Sequence, residues 1–254
     1  MIAAVAFVGL AGACSGGDDG PAVEVSDTFV EAPTTTAQEQ DTDVRSFIEG
    51  IAANTADSLE AVRGLTAEGS DAQAYIDYQI VLARALKAIG QPDRTLDSVT
   101  VEDRALKTCT TFEGEEICYR WTDFATDPSG RITSFSVNEK PITGRVVRPS
   151  APVEFDGSTY QVAGGLETST DGTLLVAVTV KAGGTGVHFP YSASFVGGDG
   201  IQVQNLPQES GVPTAEIADG ATAYGIFGFQ QSALPGRFLL DNVCSRDYRT
   251  CESI

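Results

Sequence analysis

The chain has 254 residues, enough for one or two domains with a buried core, and carries 35 acidic against 16 basic residues for a net charge of −19. Such a surface repels nucleic-acid phosphates and anionic lipid headgroups, which argues against nucleic-acid binding. One histidine and five cysteines, with no CxxC spacing, argue against a zinc site.

Residues 2–13 are apolar or small, and Cys14 follows them, then Ser15, Gly16, Gly17, Asp18 and Asp19. The run is shorter than the roughly 20 residues a membrane-spanning helix needs, and it matches the roughly 7–15 apolar residues of a secretory signal. Residues 1–13 are therefore expected to be a signal peptide outside the fold. Leu10, Ala11, Gly12 and Ala13 before Cys14 resemble the lipobox of bacterial lipoproteins, although Ala11 stands where that motif usually carries Leu, Val or Ile. The resemblance implies a lipid-modified Cys14 as first residue of the mature chain, anchored on the extracytoplasmic face of the cell membrane. The other reading is an ordinary secretory signal cleaved near Ala13, with Cys14 left as a free thiol. No Lys or Arg precedes the apolar run, which places the expected translation start further upstream.

Residues 14–43 are rich in Asp, Glu, Pro, Thr and Gly. Asp18, Asp19, Glu24, Asp27, Glu31, Glu39, Asp41 and Asp43 meet no basic partner before Arg45, so self-repulsion predicts a disordered acidic tether.

An α+β domain is expected over residues 44–148. Val44, Phe47, Ile48, Ile51, Leu59 and Val62 recur at helical spacing over residues 43–65, and Tyr75, Tyr78, Gln79, Leu82, Leu86 and Ile89 do so over residues 70–90. Gly64 and Gly69 mark the turn between the two helices. Ser70 with Gln73 predicts a capping box, and Gly90 with Pro92 a stop. The pattern predicts a helical hairpin with one apolar face, laid on a short antiparallel meander of strands at 95–101, 104–112, 116–125 and 131–138. Ile117, Tyr119 and Trp121 share one face of the third strand, and Phe135 and Val137 one face of the fourth.

If Cys14 is used for lipid, the other cysteines form two local pairs, Cys109 with Cys118 and Cys244 with Cys251, and an even remainder in an exported chain reads as disulfides. A two-residue turn at Glu113 and Gly114 sets Cys109 opposite Cys118 in a non-hydrogen-bonded pair, where the Cα atoms lie about 4.5 Å apart, within disulfide range. A four-residue loop of the same symmetry fits as well. Helices followed by a curved meander resemble the cone fold of nuclear transport factor 2, with half of that sheet missing.

Residues 149–254 read as an all-β domain, with strands near 159–165, 173–181, 187–196, 201–205, 214–217, 221–229 and 236–243. Turn signals at Asp156-Gly157, Asp171-Gly172, Asp199-Gly200, Asp219-Gly220 and Pro235-Gly236 separate them. Leu174, Val176, Val178 and Val180 mark a central strand. Residues 145–243 resemble the Ig-like domains of bacterial surface lipoproteins, including the mycobacterial immunoprotective-antigen type, which implies an antiparallel sandwich. The lysine-poor composition is similar to that of high-GC actinobacteria.

Chemistry is sparse. A Ser-His or Cys-His mechanism would have to pass through His188, which alternation places on the solvent side with Pro190, Ser192 and Ser194, leaving Phe189, Tyr191, Ala193 and Phe195 facing inward. Glu113, Glu115 and Glu116 crowd a hairpin tip, and Asp123 with Asp127 could converge at the far end of the neighbouring strand, but a solvated edge explains them better than a glycosidase cleft. Gly183, Gly184 and Gly186 lack the Lys-Ser or Lys-Thr of a phosphate loop, and the Asp-Gly turns lack a calcium-loop pattern. No catalytic residue, metal or cofactor is expected. Two readings follow: a non-enzymatic lipid-anchored envelope module that binds a protein partner or plays a structural part, or a small-ligand carrier or cone-type enzyme with a pocket near Tyr78, Tyr119 and Trp121, which Tyr75 could also line. An aromatic-lined cavity of a few hundred Å3 between helices and meander separates the second from the first.

Overall fold

A computed structural model describes residues 37–90, 97–102, 105–112, 115–168, 172–230, 233–245 and 249–254. The expected signal segment, Cys14, Pro92, Glu113, Gly114, Asp171 and most of the expected tether lie outside those residues. The last residues of the expected tether do not fit it: Ala37–Ala53 is helix α1, so residues 37–43 are helical. Phe47, Ile48 and Ile51 are buried on one side of α1, and that packing outweighs the charge of its first turns.

The single helix expected over 43–65 is two. Asn54, with φ of 47°, ends α1, and Thr55 caps α2, Ala56–Arg63, in a reciprocal box with Ser58. Helix α3, Asp71–Ala88, begins at Ser70, whose Oγ accepts from the Gln73 backbone N–H at 3.1 Å. Only half of the expected box forms there, because the Gln73 side chain accepts from the N–H of Gly69 rather than that of Ser70.

The meander is as expected, with one strand more. Strands β1 (Ser98–Glu102), β2 (Ala105–Phe112), β3 (Glu115–Thr126), β4 (Ile132–Val137) and β5 (Lys140–Pro141) pair in sequence order in one antiparallel sheet. Asn138 and Glu139, both at positive φ, make the tight turn into β5. Leu106, Trp121 and Val137 lie side by side across β2, β3 and β4 and face the helices. Phe135 is the hub of this core, with ring centroids 5.2 Å from both Tyr75 and Trp121 and 5.6 Å from Phe47.

The remaining strands are β6 (Val146–Val147), β7 (Val153–Phe155), β8 (Ser158–Glu167), β9 (Leu174–Lys181), β10 (Val187–His188), β11 (Ser192–Gly197), β12 (Gln202–Gln204), β13 (Leu206–Gly211), β14 (Glu216–Ile217), β15 (Thr222–Phe229), β16 (Gly236–Asp241), β17 (Val243–Cys244) and β18 (Cys251–Glu252). A six-stranded antiparallel sheet runs β13-β15-β9-β8-β6, with β7 also on β8, and a three-stranded sheet runs β12-β11-β16. Strand β9 is central, and Leu174, Val176, Val178 and Val180 are fully buried in a core shared with Phe195, Phe227, Phe229 and Leu240. With helices and mostly antiparallel sheets, the chain is α+β.

The expected strand 187–196 is interrupted. It breaks into β10 and β11 around Pro190, whose missing N–H and fixed φ end the ladder. Phe189, Ala193 and Phe195 are buried as expected, but Tyr191 is 74% exposed instead of inward, and Pro190 and Ser194 are buried instead of outward. Strands β6, β7 and β13 carry too little alternation to be read from sequence.

Helix α3 lies between the two large sheets. Ala72, Tyr75, Ile76, Ile80 and Ala83 enter the meander core, while Tyr78, Val81 and Ala85 pack with Ala177 and Ile226 of the six-stranded sheet. It therefore buries two faces, where one apolar face is expected of a helical hairpin. Gly164, at φ of 147° beside a bulge in β8, lets the helix approach: a Cβ there would lie 3.2 Å from Tyr78 Cβ and 3.4 Å from the Ala74 carbonyl oxygen. Arg148, between β6 and β7, donates to the Gly69 carbonyl at 2.7 Å and to Asp71 Oδ1 at 2.9 Å, tying the start of α3 to the second half of the chain. Residues Thr35–Ile254 form one compact unit.

Candidate functional site

A cavity of about 300 Å3 lies where α1 and α3 meet the inner face of the meander, lined by Tyr75, Tyr119, Trp121, Gln79, Thr108 and Arg145 among others. It follows from the length of the strands. Along the inner face of β3, Trp121 is 4% exposed, Tyr119 half-buried and Ile117 38% exposed, so the sheet outruns the helices that cover it. Near Trp121 helix and sheet are in contact, and farther toward the hairpin tip the covering ends and space opens.

The walls divide by chemistry. Ile51, Trp121, Val137, Ile142 and Leu166 form an apolar side, and Asn54, Gln79, Thr108, Thr110, Arg145 and Thr168 bring polar atoms. Trp121 Nε1 donates to Thr108 Oγ1 at 3.1 Å, which satisfies the indole and fixes its plane. Burial pushes the Tyr75 hydroxyl above its ordinary range, with Gln79 beside it pulling the other way. Tyr75 is therefore a neutral hydrogen-bonding group at physiological pH.

Arg145 is the cation of the site. Its Nη2 donates to the Glu167 carbonyl, and its Nη1 is buried with no hydrogen-bond partner among the described residues. Burial lowers its pKa, and the nearby Glu167 carboxylate raises it. Arginine nevertheless stays charged at any ordinary pH.

Of the residues expected to line a pocket, Tyr75, Tyr119 and Trp121 are brought together, whereas Tyr78 lies in the core between α3 and the six-stranded sheet. Sequence reasoning missed Arg145, Gln79 and Leu166. Leu166 and Arg145 come from the β8 and pre-β6 segments, which no local pattern connects to the meander. A larger depression of about 480 Å3 beside Arg84, Lys87 and Tyr224 is a shallow surface open to solvent, and the smaller, more enclosed space suits a ligand better.

The other candidates have structural explanations. His188 is exposed at the end of β10, in register with Glu216. Asp127 accepts from Ser129 Oγ at 2.7 Å and from the N–H groups of Ser129 and Arg131, which lowers its pKa and makes it a turn residue. Asp123, exposed in the bulge of β3, accepts from Thr122 Oγ1. Glu116 is exposed and sits near two cysteine sulfurs that are bonded to each other, which leaves no thiolate for a metal. Glu115 stands opposite Phe112 in the hairpin ladder. Gly183 passes directly over the Gly157 carbonyl, a backbone approach only glycine permits, and its N–H donates to Ser158 Oγ at 3.1 Å. Gly186 donates its N–H to Glu216, and Gly184 lies on the same β9–β10 connection.

Both cysteine pairs are disulfides. Cys109 and Cys118 are directly opposed in the β2–β3 ladder with Cα atoms 4.1 Å apart, and Cys244 and Cys251 are opposed in β17–β18 at 4.0 Å. Thr108, Thr110 and Tyr119 flank the first bridge and point to the other face of the sheet, so the bridge backs the cavity wall.

Comparison with protein-family models, with curated proteins and with solved structures finds no match to this chain.

Proposed function

We propose that this chain is a non-enzymatic cell-envelope protein that holds a small ligand in the cavity between α3 and the meander. The carrying observation is that cavity: about 300 Å3, at the lower end of the roughly 300–1,000 Å3 typical of small-molecule sites, with three aromatic rings and a few polar groups. A surface acting on a protein partner has less support, because the exposed large apolar side chains Ile89, Val99, Ile117, Val153, Tyr191 and Ile201 are spread over separate elements. The envelope assignment rests on Cys14 after its apolar run and on the two disulfides, which persist only in an oxidising compartment. No helix among the described residues is long and apolar enough to cross a membrane, so in this reading the lipid on Cys14 is the attachment. The Ig-like reading of residues 149–254 belongs to the same proposal, with the paired sheets serving as a rigid platform for the ligand-holding unit.

Ligand-observed NMR with benzyl alcohol as a neutral probe tests the cavity. Saturable binding is expected, and Thr110→Phe at the rim is expected to abolish it. No binding of benzyl alcohol or of any charged analogue of it, or equal binding by the variant, would refute the reading. Mass spectrometry of the mature N-terminus reads the anchor, and an unmodified Cys14 would remove it.

A further inference from the structure

The position of Arg145 narrows the ligand class. Its backbone is held on both sides, the N–H donating to the Ile142 carbonyl at 2.9 Å and the carbonyl accepting from Glu167 N–H at 2.8 Å, so the stem of the side chain is set at the cavity wall. The guanidinium presents a fork of donors, of which Nη2 is used by the Glu167 carbonyl and Nη1 is buried without an acceptor. It forms no ion pair among the described residues, although the Glu167 carboxylate is close enough to be felt. Buried charges are ordinarily paired and hydrogen-bonded, and a cation left short of an acceptor in the wall of a cavity is complementary to an anion entering that cavity.

We propose that the cavity takes an amphipathic monocarboxylate, its carboxylate on the Arg145 guanidinium and its apolar body against Trp121, Ile142 and Leu166. This rests on the cavity being a ligand site. A single negative charge fits best, because one guanidinium partly offset by Glu167 stands alone at the site and the whole chain carries −19. The planar guanidinium fork also matches a planar carboxylate, as a point-like ammonium in its place would not. The apolar walls exclude a ligand that is polar throughout, and Thr110 and Gln79 add polar atoms to the lining.

The test compares benzoate, benzyl alcohol and phenyl phosphate on the intact protein. Benzoate is expected to bind about tenfold more tightly than benzyl alcohol, the contribution of one charge-assisted hydrogen bond. In Arg145→Gln the ratio is expected to fall to near one, and in Arg145→Lys to fall in between, because the charge is kept and the fork lost. Equal affinities in the unaltered protein, or a ratio that survives Arg145→Gln, would overturn the assignment, and so would tighter binding of phenyl phosphate. Binding of benzyl alcohol without preference leaves the cavity reading standing and removes the carboxylate alone. Failure of all three probes overturns the cavity reading itself. If Arg145→Gln does not fold, the ratios in the unaltered protein and in Arg145→Lys decide.

Discussion

Tyr75 and Tyr78 stand three residues apart on α3, about 60° apart around its axis, and on a helix held between two sheets that angle is enough to send them to different cores. Their shared environment is dryness. Burial raises the pKa of both hydroxyls, so the folded state holds these protons more tightly than the unfolded chain does. Because the folded pKa is the higher one, the associated stability is complete below the ordinary phenol value of about 10 and is lost as pH climbs above it. In a spectrophotometric titration of the seven tyrosines, Tyr75 and Tyr78 are expected to ionise only as the protein unfolds. Two buried tyrosines ionising reversibly in the folded state would contradict this placement. The pair also marks what the sequence could show of the site. Tyr119 and Trp121 were legible because strand alternation puts them on one face with a buried neighbour row. Tyr78 was misplaced because periodicity reports that a position is buried, not which sheet buries it, and Arg145 carried no local signal at all.

The meander is the part most legible in sequence, and the reason is chemical. Cys109 and Cys118 could be bonded only in one register, so the pairing of β2 with β3 followed from spacing, and the alternation of Ile117, Tyr119 and Trp121 and of Phe135 and Val137 supplied the facing of β3 and β4. What escaped notice were elements with weak signals of their own, such as β6, β7 and the Asn138-Glu139 turn, and the break at Pro190 inside an apolar run. The bridge should matter to the site as well as to the fold. Closing so short a loop contributes about 2–3 kcal/mol in the chain-entropy account. Reduction, or Cys109→Ser with Cys118→Ser, is expected to lower the melting temperature by several degrees and to weaken benzyl alcohol binding, because Thr108, Thr110 and Tyr119 lose their common backing. Unchanged binding in a protein whose melting temperature had fallen would show that the cavity wall does not depend on the bridge. Replacing Cys244 and Cys251 tests the remote pair, which should affect stability alone.

On the scale of the whole molecule, α3 is the element that both halves share. It buries Tyr75 and Ile76 against the meander and Tyr78 and Val81 against β8, β9 and β15, while Arg63 joins it to α2 through Asp77 and Arg84 lies 5.3 Å from the Tyr224 ring. Loosening one side should therefore be felt on the other. Tyr78→Ala removes a large buried side chain, a change that costs about 3–5 kcal/mol for aromatic residues in cores. Hydrogen exchange is expected to accelerate together in β3, on the meander side, and in β9, on the other. Faster exchange confined to β9 would show that the meander and its helices hold together without the second sheet. The same arrangement bears on the boundary expected near residue 148. Arg148 reaches back to Gly69 and Asp71 at that point, so the test of the boundary is whether the two sides open separately.

Trp121 is the only tryptophan in the chain, and it stands in the cavity wall with its indole tied to Thr108. The intrinsic emission of the unlabelled protein therefore comes from the place where a guest would sit. Occupancy, exclusion of water and movement of the neighbouring guanidinium would each alter the colour or yield of that light, so a library of small acids can be surveyed with neither dye nor tag.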